Sequence, residues 1–523
     1  MAHGLPLTFS ERRGFALSAS IERLLVDATE RATDYLKLTH PAYSAANVSR
    51  VSNCLPLLFW VISIAAVFTT VGTILLSMLV VLPTAFRLFV AALPAAKRED
   101  RRATIFFEPP DDELPIYTII APLRDEARVV DQLLSAIERL DYPPEKLDVI
   151  IAVEADCALT REAITARRHR IPLTVIPVPP SDVRTKPKAL SVALPFARGT
   201  FTVIYDAEDR PEANQLRCAL QAFRSEGEVL ACVQARLCID TKSHWLARYF
   251  TAEYAGHFDA YLPKLAALGL PLPLGGSSNH FRTATLRKVG GWDPYNVTED
   301  ADLGMRLARF GYRCGVINST TYEEAPEDTR RWLGQRSRWL KGWMTTYFVH
   351  MRHPAVLFRD LRFFNFLAFQ FVVGGNALVA LAHPALLLRF FWDTLVSFLL
   401  SSATEVPLLL ACSFAAASFG YMVSAAFAIA GLWRRRLWSA ALVLFLTPVH
   451  WLLLSLAAAC AARELLTRPY FWNKTRHGVE WSRSLLKLSH IIKDLERRGE
   501  LPEIWSDSRN NAADRLQLPR AVA

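Results

Sequence analysis

Two apolar blocks, residues 54–96 and 363–462, bracket a stretch of ordinary polarity in this chain. A membrane-crossing helix needs about 20 consecutive apolar residues, and both blocks are long enough to supply such helices. The chain is therefore restricted to a globular domain held between membrane segments. At 52% hydrophobic and 21% charged residues, it cannot be a disordered protein or a small disulfide scaffold. The excess of Lys and Arg (60) over Asp and Glu (50) suits either a nucleic-acid surface or the cytoplasmic face of a membrane protein. Only the second reading also explains the apolar excess, so no nucleic-acid partner is expected. Eight cysteines are scattered without a CxxC pair, which argues against zinc and disulfides and for a reducing compartment.

Residues 1–50 form a polar N-terminal segment in which 21–38 reads as an amphipathic helix. The first apolar block carries one charge, Arg87, and fits a transmembrane hairpin turning near Thr69–Thr73, with one long tilted helix as the rival. The basic run Lys97–Arg102 is a stop that the positive-inside bias places in the cytoplasm. Residues 104–327 read as an α/β domain. The β-branched runs 116–121, 148–153, 173–176 and 200–205 alternate with or precede helical patterns such as 129–139 and 215–224. Buried strands alternating with helices imply a mostly parallel sheet. Residues 328–350 mix tryptophans with cations and read as an interfacial amphipathic helix. The second block is divided into four spans at 363–382, 385–401, 406–432 and 438–462, about six in all, followed by a cytoplasmic tail, 463–523. That division puts Arg434–Arg436 on the face opposite the α/β domain, against the positive-inside bias, unless one segment, such as 385–401 with its Arg389 and Asp393, does not cross.

Ligands of an open parallel sheet sit beyond the carboxyl ends of its strands. Acids stand there in this sequence: Asp156 after the second strand and Asp206-Ala-Glu-Asp209 after the fourth. An isolated strand-end acid is as easily loop solvation, but oxygen donors spaced like the second group can hold Mg²⁺ or Mn²⁺ while a diphosphate completes the shell. Thr298-Glu-Asp300 opens a helix, where Thr298 is a plausible N-cap. Gln335-Arg-Ser-Arg-Trp339 lies in the tryptophan-rich segment.

Taken in order, Asp156, Asp206-Ala-Glu208, Thr298-Glu-Asp300 and Gln335-Arg-Ser-Arg-Trp339 resemble the motifs of processive family-2 glycosyltransferases of the cellulose synthase and hyaluronan synthase type. Lys186-Pro-Lys-Ala-Leu190, Gly275–Phe281 and Trp472–Gly478 look closest to a bacterial exopolysaccharide β-glycan synthase branch. The resemblance implies a GT-A (Rossmann-like) domain inserted between transmembrane helices of the inner membrane, with the domain cytoplasmic. It implies a UDP-sugar donor, UDP-glucose in the first instance, a growing glycan as acceptor, and a divalent metal, Mg²⁺ or Mn²⁺. Asp156 then belongs at the uridine, Lys188 near the nucleotide, Asp206 and Glu208 at the metal and diphosphate, and Asp300 is the general base. Gln335, Arg338 and Trp339 bind the acceptor end and the diphosphate. Lys474 and Thr475 belong to a gating segment, 470–478, for which an interfacial anchor is the equal alternative. Two departures stand out: the second acid near the uridine is Cys157, and the usual Asp-x-Asp reads Asp206-Ala-Glu208 followed by Asp209. The function implied is inverting, processive synthesis and export of a β-linked polysaccharide. The alternative is transfer of one sugar to a lipid acceptor. A homo-oligomer or accessory export proteins are compatible with either.

Overall fold

The computed structural model describes residues 19–94, 110–240, 244–326, 328–400 and 408–472. Helices α1 (Ala19–Thr39), α2 (Arg50–Ala66) and α3 (Thr70–Ala92) lead into the sheet domain. There β1 (Tyr117–Leu123), α4 (Val130–Glu138), β2 (Leu147–Glu154), α5 (Ala158–Ala166), β3 (Leu173–Val178), α6 (Lys186–Ala193) and β4 (Phe201–Ile204) alternate. Then follow β5 (Arg210–Pro211), α7 (Gln215–Glu226), β6 (Leu230–Ile239), α8 (Trp245–Ala255), α9 (Leu262–Ala267), β7 (Asn279–Arg282), α10 (Thr283–Lys288), α11 (Glu299–Arg309) and β8 (Arg313–Glu323). The chain continues through α12 (Thr329–His350), α13 (Pro354–Phe369), α14 (Gly375–Leu400), α15 (Leu408–Arg435) and α16 (Thr447–Thr467).

The eight strands form one sheet in the order β3-β2-β1-β4-β7-β6-β8-β5. Its first four strands pair in parallel, and β7 then runs antiparallel to both β4 and β6. All eight residues of β2 are buried, as expected of a strand covered on both faces. In α4, Val130, Leu133, Leu134 and Ile137 recur at helical spacing and are buried against the sheet. Each such side chain stabilises the fold by roughly 1.5–3 kcal/mol relative to exposure.

A second core joins the sheet to the apolar helices. Ile120, Leu190 and Leu303 share it with Phe86 and Val90 of α3 and with Ala368 and Val372.

The first apolar block is two helices, broken at Val67–Thr69, where Thr69 caps α3 by accepting the Gly72 amide. The second block departs from the expected four spans. No turn separates 363–382 from 385–401. One helical run passes through a π-turn at Gln370–Gly374 and past Pro384 to Leu400. The only break lies upstream, at Arg362, whose φ of 60° is left-handed. A lone proline bends a helix without ending it when neighbouring helices hold both halves. Four of the described helices are long and apolar enough to cross a membrane, and α2 is a shorter apolar one. Arg389 and Asp393 are tolerated because they pair with each other at 2.7 Å, and Arg389 also donates to Val67 O.

With one helix where two were expected, α15 returns to the sheet domain. Arg435 ion-pairs with Asp259 and donates to Leu237 O at 2.9 Å, while Arg434 donates to Asp259 O. The two helices meet there without clearance, since a Cβ on Gly431 would fall 2.1 Å from Ala255 C. Arg434 and Arg435 thus pack against the sheet domain.

Candidate active site

The loop after β4 carries the acids. Asp209 is buried, and its Oδ2 accepts the Asp206 amide at 2.7 Å and the Ser277 hydroxyl. Asp209 therefore holds the loop, while Asp206 and Glu208 remain partly exposed at its surface. Burial, then repulsion from Asp206 and Glu126, pushes the Glu208 carboxyl well up from its ordinary range. Two crowded carboxylates of this kind are what a bound cation relieves.

Asp300 enters from the first turn of α11. Its Oδ1 accepts the Ala301 amide at 2.7 Å. Thr298 occupies the N-cap position but makes no capping bond, its hydroxyl turning to Asn296 Oδ1 at 3.4 Å. Burial pushes the Asp300 carboxyl up to about 6, with Lys186 and Arg338 opposing. Burial and the Asp300 charge together push the adjacent Glu299 up to about 8.

The helix α12 brings Arg338 beside Asp300 and Asp206 and Trp339 against Tyr254, and Gln335 is buried on the same helix. The helix starts where Asp328 accepts the Arg331 amide at 2.8 Å. It is seated against α11 at Gly342, where a Cβ would fall 2.3 Å from Thr298 Oγ1. Gln335 Oε1 and Arg338 Nε are buried without a hydrogen-bond partner among the described residues. Burial lowers the Arg338 pKa, against the pull of Glu299, Asp300 and Asp206. The Arg338 guanidinium lies 4.4 Å from the centre of the Trp472 ring. Trp339 stacks on Tyr254 and receives the Arg336 guanidinium at 4.6 Å, and Arg336 is itself held by Glu253 at 2.6 and 2.9 Å.

Lys188 stands at the Glu154 end of β2 and not at the Asp206 loop. It is wholly buried between Glu154, at 3.1 Å, and Pro179 O, at 3.1 Å. Lys186, two residues earlier, is the lysine at that loop: it ion-pairs with Asp206 and donates to Gly276 O at 2.5 Å. The acid missing at Cys157 is replaced in space, since the Cys157 thiol donates to Asp125 Oδ1 at 3.3 Å. Asp125 follows β1, so the strand-end rule that found Asp156 would have found it too. Asp156 itself is exposed and paired with Arg184 at 2.8 Å. Lys474 and Thr475 lie outside the described residues.

The Lys188–Glu154 contact predicts a stability effect. Lys188→Met leaves a buried carboxylate unpaired and should cost about 3–5 kcal/mol in unfolding free energy. The double substitution with Glu154→Met should recover most of that loss in a melting experiment. A raised donor KM with unchanged stability would return Lys188 to the nucleotide.

A family profile described as "Glycosyl transferase family group 2" matches residues 201–472. The chain belongs to that family. It is an enzyme, a glycosyltransferase. Among curated relatives, the "Probable glycosyltransferase YdaM" of Bacillus subtilis (strain 168) is 24% identical over 298 residues, 54% of this chain and 68% of that protein. The "Beta-monoglucosyldiacylglycerol synthase" of Synechocystis sp. (strain ATCC 27184 / PCC 6803 / Kazusa) is 25% identical over 271 residues. That match covers 50% of this chain and 56% of the relative's length. A solved structure, the mannosyltransferase PcManGT from Pyrobaculum calidifontis in complex with GDP-Man and Mn²⁺, aligns with a TM-score of 0.44 at 20% identity. It covers 70% of this chain and 99% of its own.

Proposed function

We propose that this glycosyltransferase is membrane-seated and inverting, and moves one sugar from a UDP-sugar to a hydroxyl of a lipid-borne acceptor. The observation that carries the reading is the convergence of Asp206, Asp300 and Arg338 on one cleft, joined through Lys186. An acceptor hydroxyl becomes a competent nucleophile when a carboxylate takes its proton during attack, and Asp300 is the carboxylate tuned for that. Direct attack opposite the leaving group turns an α-linked donor into a β-linked product. Arg338, with its unspent N–H, would stabilise the charge gathering on the leaving diphosphate.

Asp206 and Glu208 fit Mg²⁺ or Mn²⁺. Both offer hard carboxylate oxygens. That donor set suits a cation whose shell is completed by substrate phosphates. When bound, such an ion would neutralise the diphosphate.

The acceptor assignment rests on the membrane helices. Of the polar side chains there that could have lined a glycan path, three are bonded between or within helices, while His450 is buried with neither ring nitrogen hydrogen-bonded among the described residues. Gln370 accepts from Tyr347 at 2.8 Å, Asn376 from Arg87 at 3.2 Å, and His383 bridges Tyr421 and Ser455. A relative named as a glucosyldiacylglycerol synthase points the same way. The processive reading keeps one supporting observation, the Trp472 ring over Arg338, an aromatic face beside the cation of the site.

Product analysis tests the choice. Purified protein given UDP-sugars and diacylglycerol vesicles should yield a glycolipid one sugar larger than the lipid. A glycosidase-sensitive polymer would establish the processive reading instead, and no UDP release with any UDP-sugar would overturn both.

A further inference from the structure

Lys186 has no assigned role, yet it stands at the centre of the site. Its ammonium pairs with Asp206 Oδ1 and donates to Gly276 O at 2.5 Å. Its side chain is only 12% exposed. Gly276 presses the arrangement together: a Cβ placed there would be 3.4 Å from Asp300 Oδ2 and 3.9 Å from Lys186 Nζ. One ammonium therefore lies beside both halves of the site, the carboxylate after β4 and the base on α11. The Glu299 carboxyl lies within its field as well.

We propose that Lys186 is a built-in counter-cation that occupies Asp206 until a divalent metal takes that carboxylate from it. The inference rests on the metal-binding reading of Asp206 above. A carboxylate oxygen already paired with an ammonium must exchange partners to ligate Mg²⁺ or Mn²⁺. The displaced ammonium has Asp300 to turn to, already within its field. The exchange keeps these acids neutralised whenever no metal is bound and makes metal affinity depend on a competitor inside the protein. Lys186 is then a positioning residue that acts through Asp206, and its loss should tighten metal binding. A purely structural lysine predicts the reverse, because removing a structural contact loosens the donor set.

The test measures Mn²⁺ binding by electron paramagnetic resonance on the full chain in detergent, with a fixed concentration of UDP present to complete the shell. If the ammonium holds Asp206 about nine-tenths of the time, Lys186→Met should lower the Mn²⁺ Kd by about tenfold. Lys186→Arg, which keeps the competing charge, should stay near the wild-type Kd. Lys186→Gln provides the same comparison as the Met variant should the latter fail to show a cooperative melt. Equal or weaker Mn²⁺ binding in folded Met or Gln variants would overturn the proposal while leaving the metal reading intact. Absence of Asp206-dependent Mn²⁺ binding in every variant, wild type included, would overturn both.

Discussion

Asp300→Asn should abolish sugar transfer, with a loss on the order of 10³-fold or more, while donor binding survives and the protein melts at a higher temperature. The first effect follows from the role: an amide cannot take the acceptor proton, and general-base catalysis contributes about 10²–10⁴-fold on its own. The second follows from the environment. Burial raises the Asp300 pKa from 3.8 to about 6, so the folded protein holds that proton more tightly than the unfolded chain does. The stability this carboxyl contributes is present below the unfolded value and is lost as pH rises from about 4 through about 6. At neutral pH the ionised group costs up to about 3 kcal/mol, less after allowance for its partial exposure. Asparagine carries no charge to bury, so the variant should gain stability as it loses activity. The same titration sets the wild-type rate, which should climb with pH through about 6 as Asp300 ionises. Normal turnover by the variant, or a lower melting temperature at pH 7.5, would sink the assignment.

Gly342→Ala should cut kcat by roughly 100-fold although residue 342 faces no substrate. A Cβ at that position meets Thr298 at Oγ1 (2.3 Å), Cγ2 (2.4 Å) and Cβ (2.7 Å). Threonine is branched at Cβ and stiff, so the helices must part, at a cost of about 1–3 kcal/mol for an overpacked contact. Parting them moves Arg338, one turn before Gly342, away from Asp300, two residues after Thr298. Displacements near 1 Å between reacting groups cost about 10²-fold. Thr298→Gly in the same chain removes every atom of the clash and should restore much of the rate. A Gly342→Ala enzyme with wild-type kcat would show that the two helices do not set the geometry.

Most of the sheet could be read from residue pattern, because β-branched runs such as 148–153 are buried on both faces and leave little alternative. Strands β5 to β8 could not, since their pairing is mixed and long-range, with Cys232 opposite both Phe281 and Cys314. Asp206 and Glu208 were legible from their place after a strand, and Asp300 from its place at a helix start. Choosing between Lys186 and Lys188 was not: both sit in the first turn of α6, two residues apart, and only the packed fold decides which faces Asp206. The fused helix through Pro384 was missed for a related reason. A hydropathy pattern marks apolar length, but whether a proline ends a helix depends on neighbours distant in sequence.

The core shared by Ile120, Phe86 and Val372 has a consequence for how the protein is made. Its earliest and latest members are separated by most of the catalytic sequence, so the sheet cannot finish burying its inner face while the ribosome is still translating it. At about 5–20 residues per second, that face stays open for tens of seconds. Through that interval the nascent domain depends on α3, already synthesised, as the only partner from the apolar helices. A ribosome stalled before residue 372 should therefore present a protease-sensitive sheet, and one stalled well beyond it a resistant one.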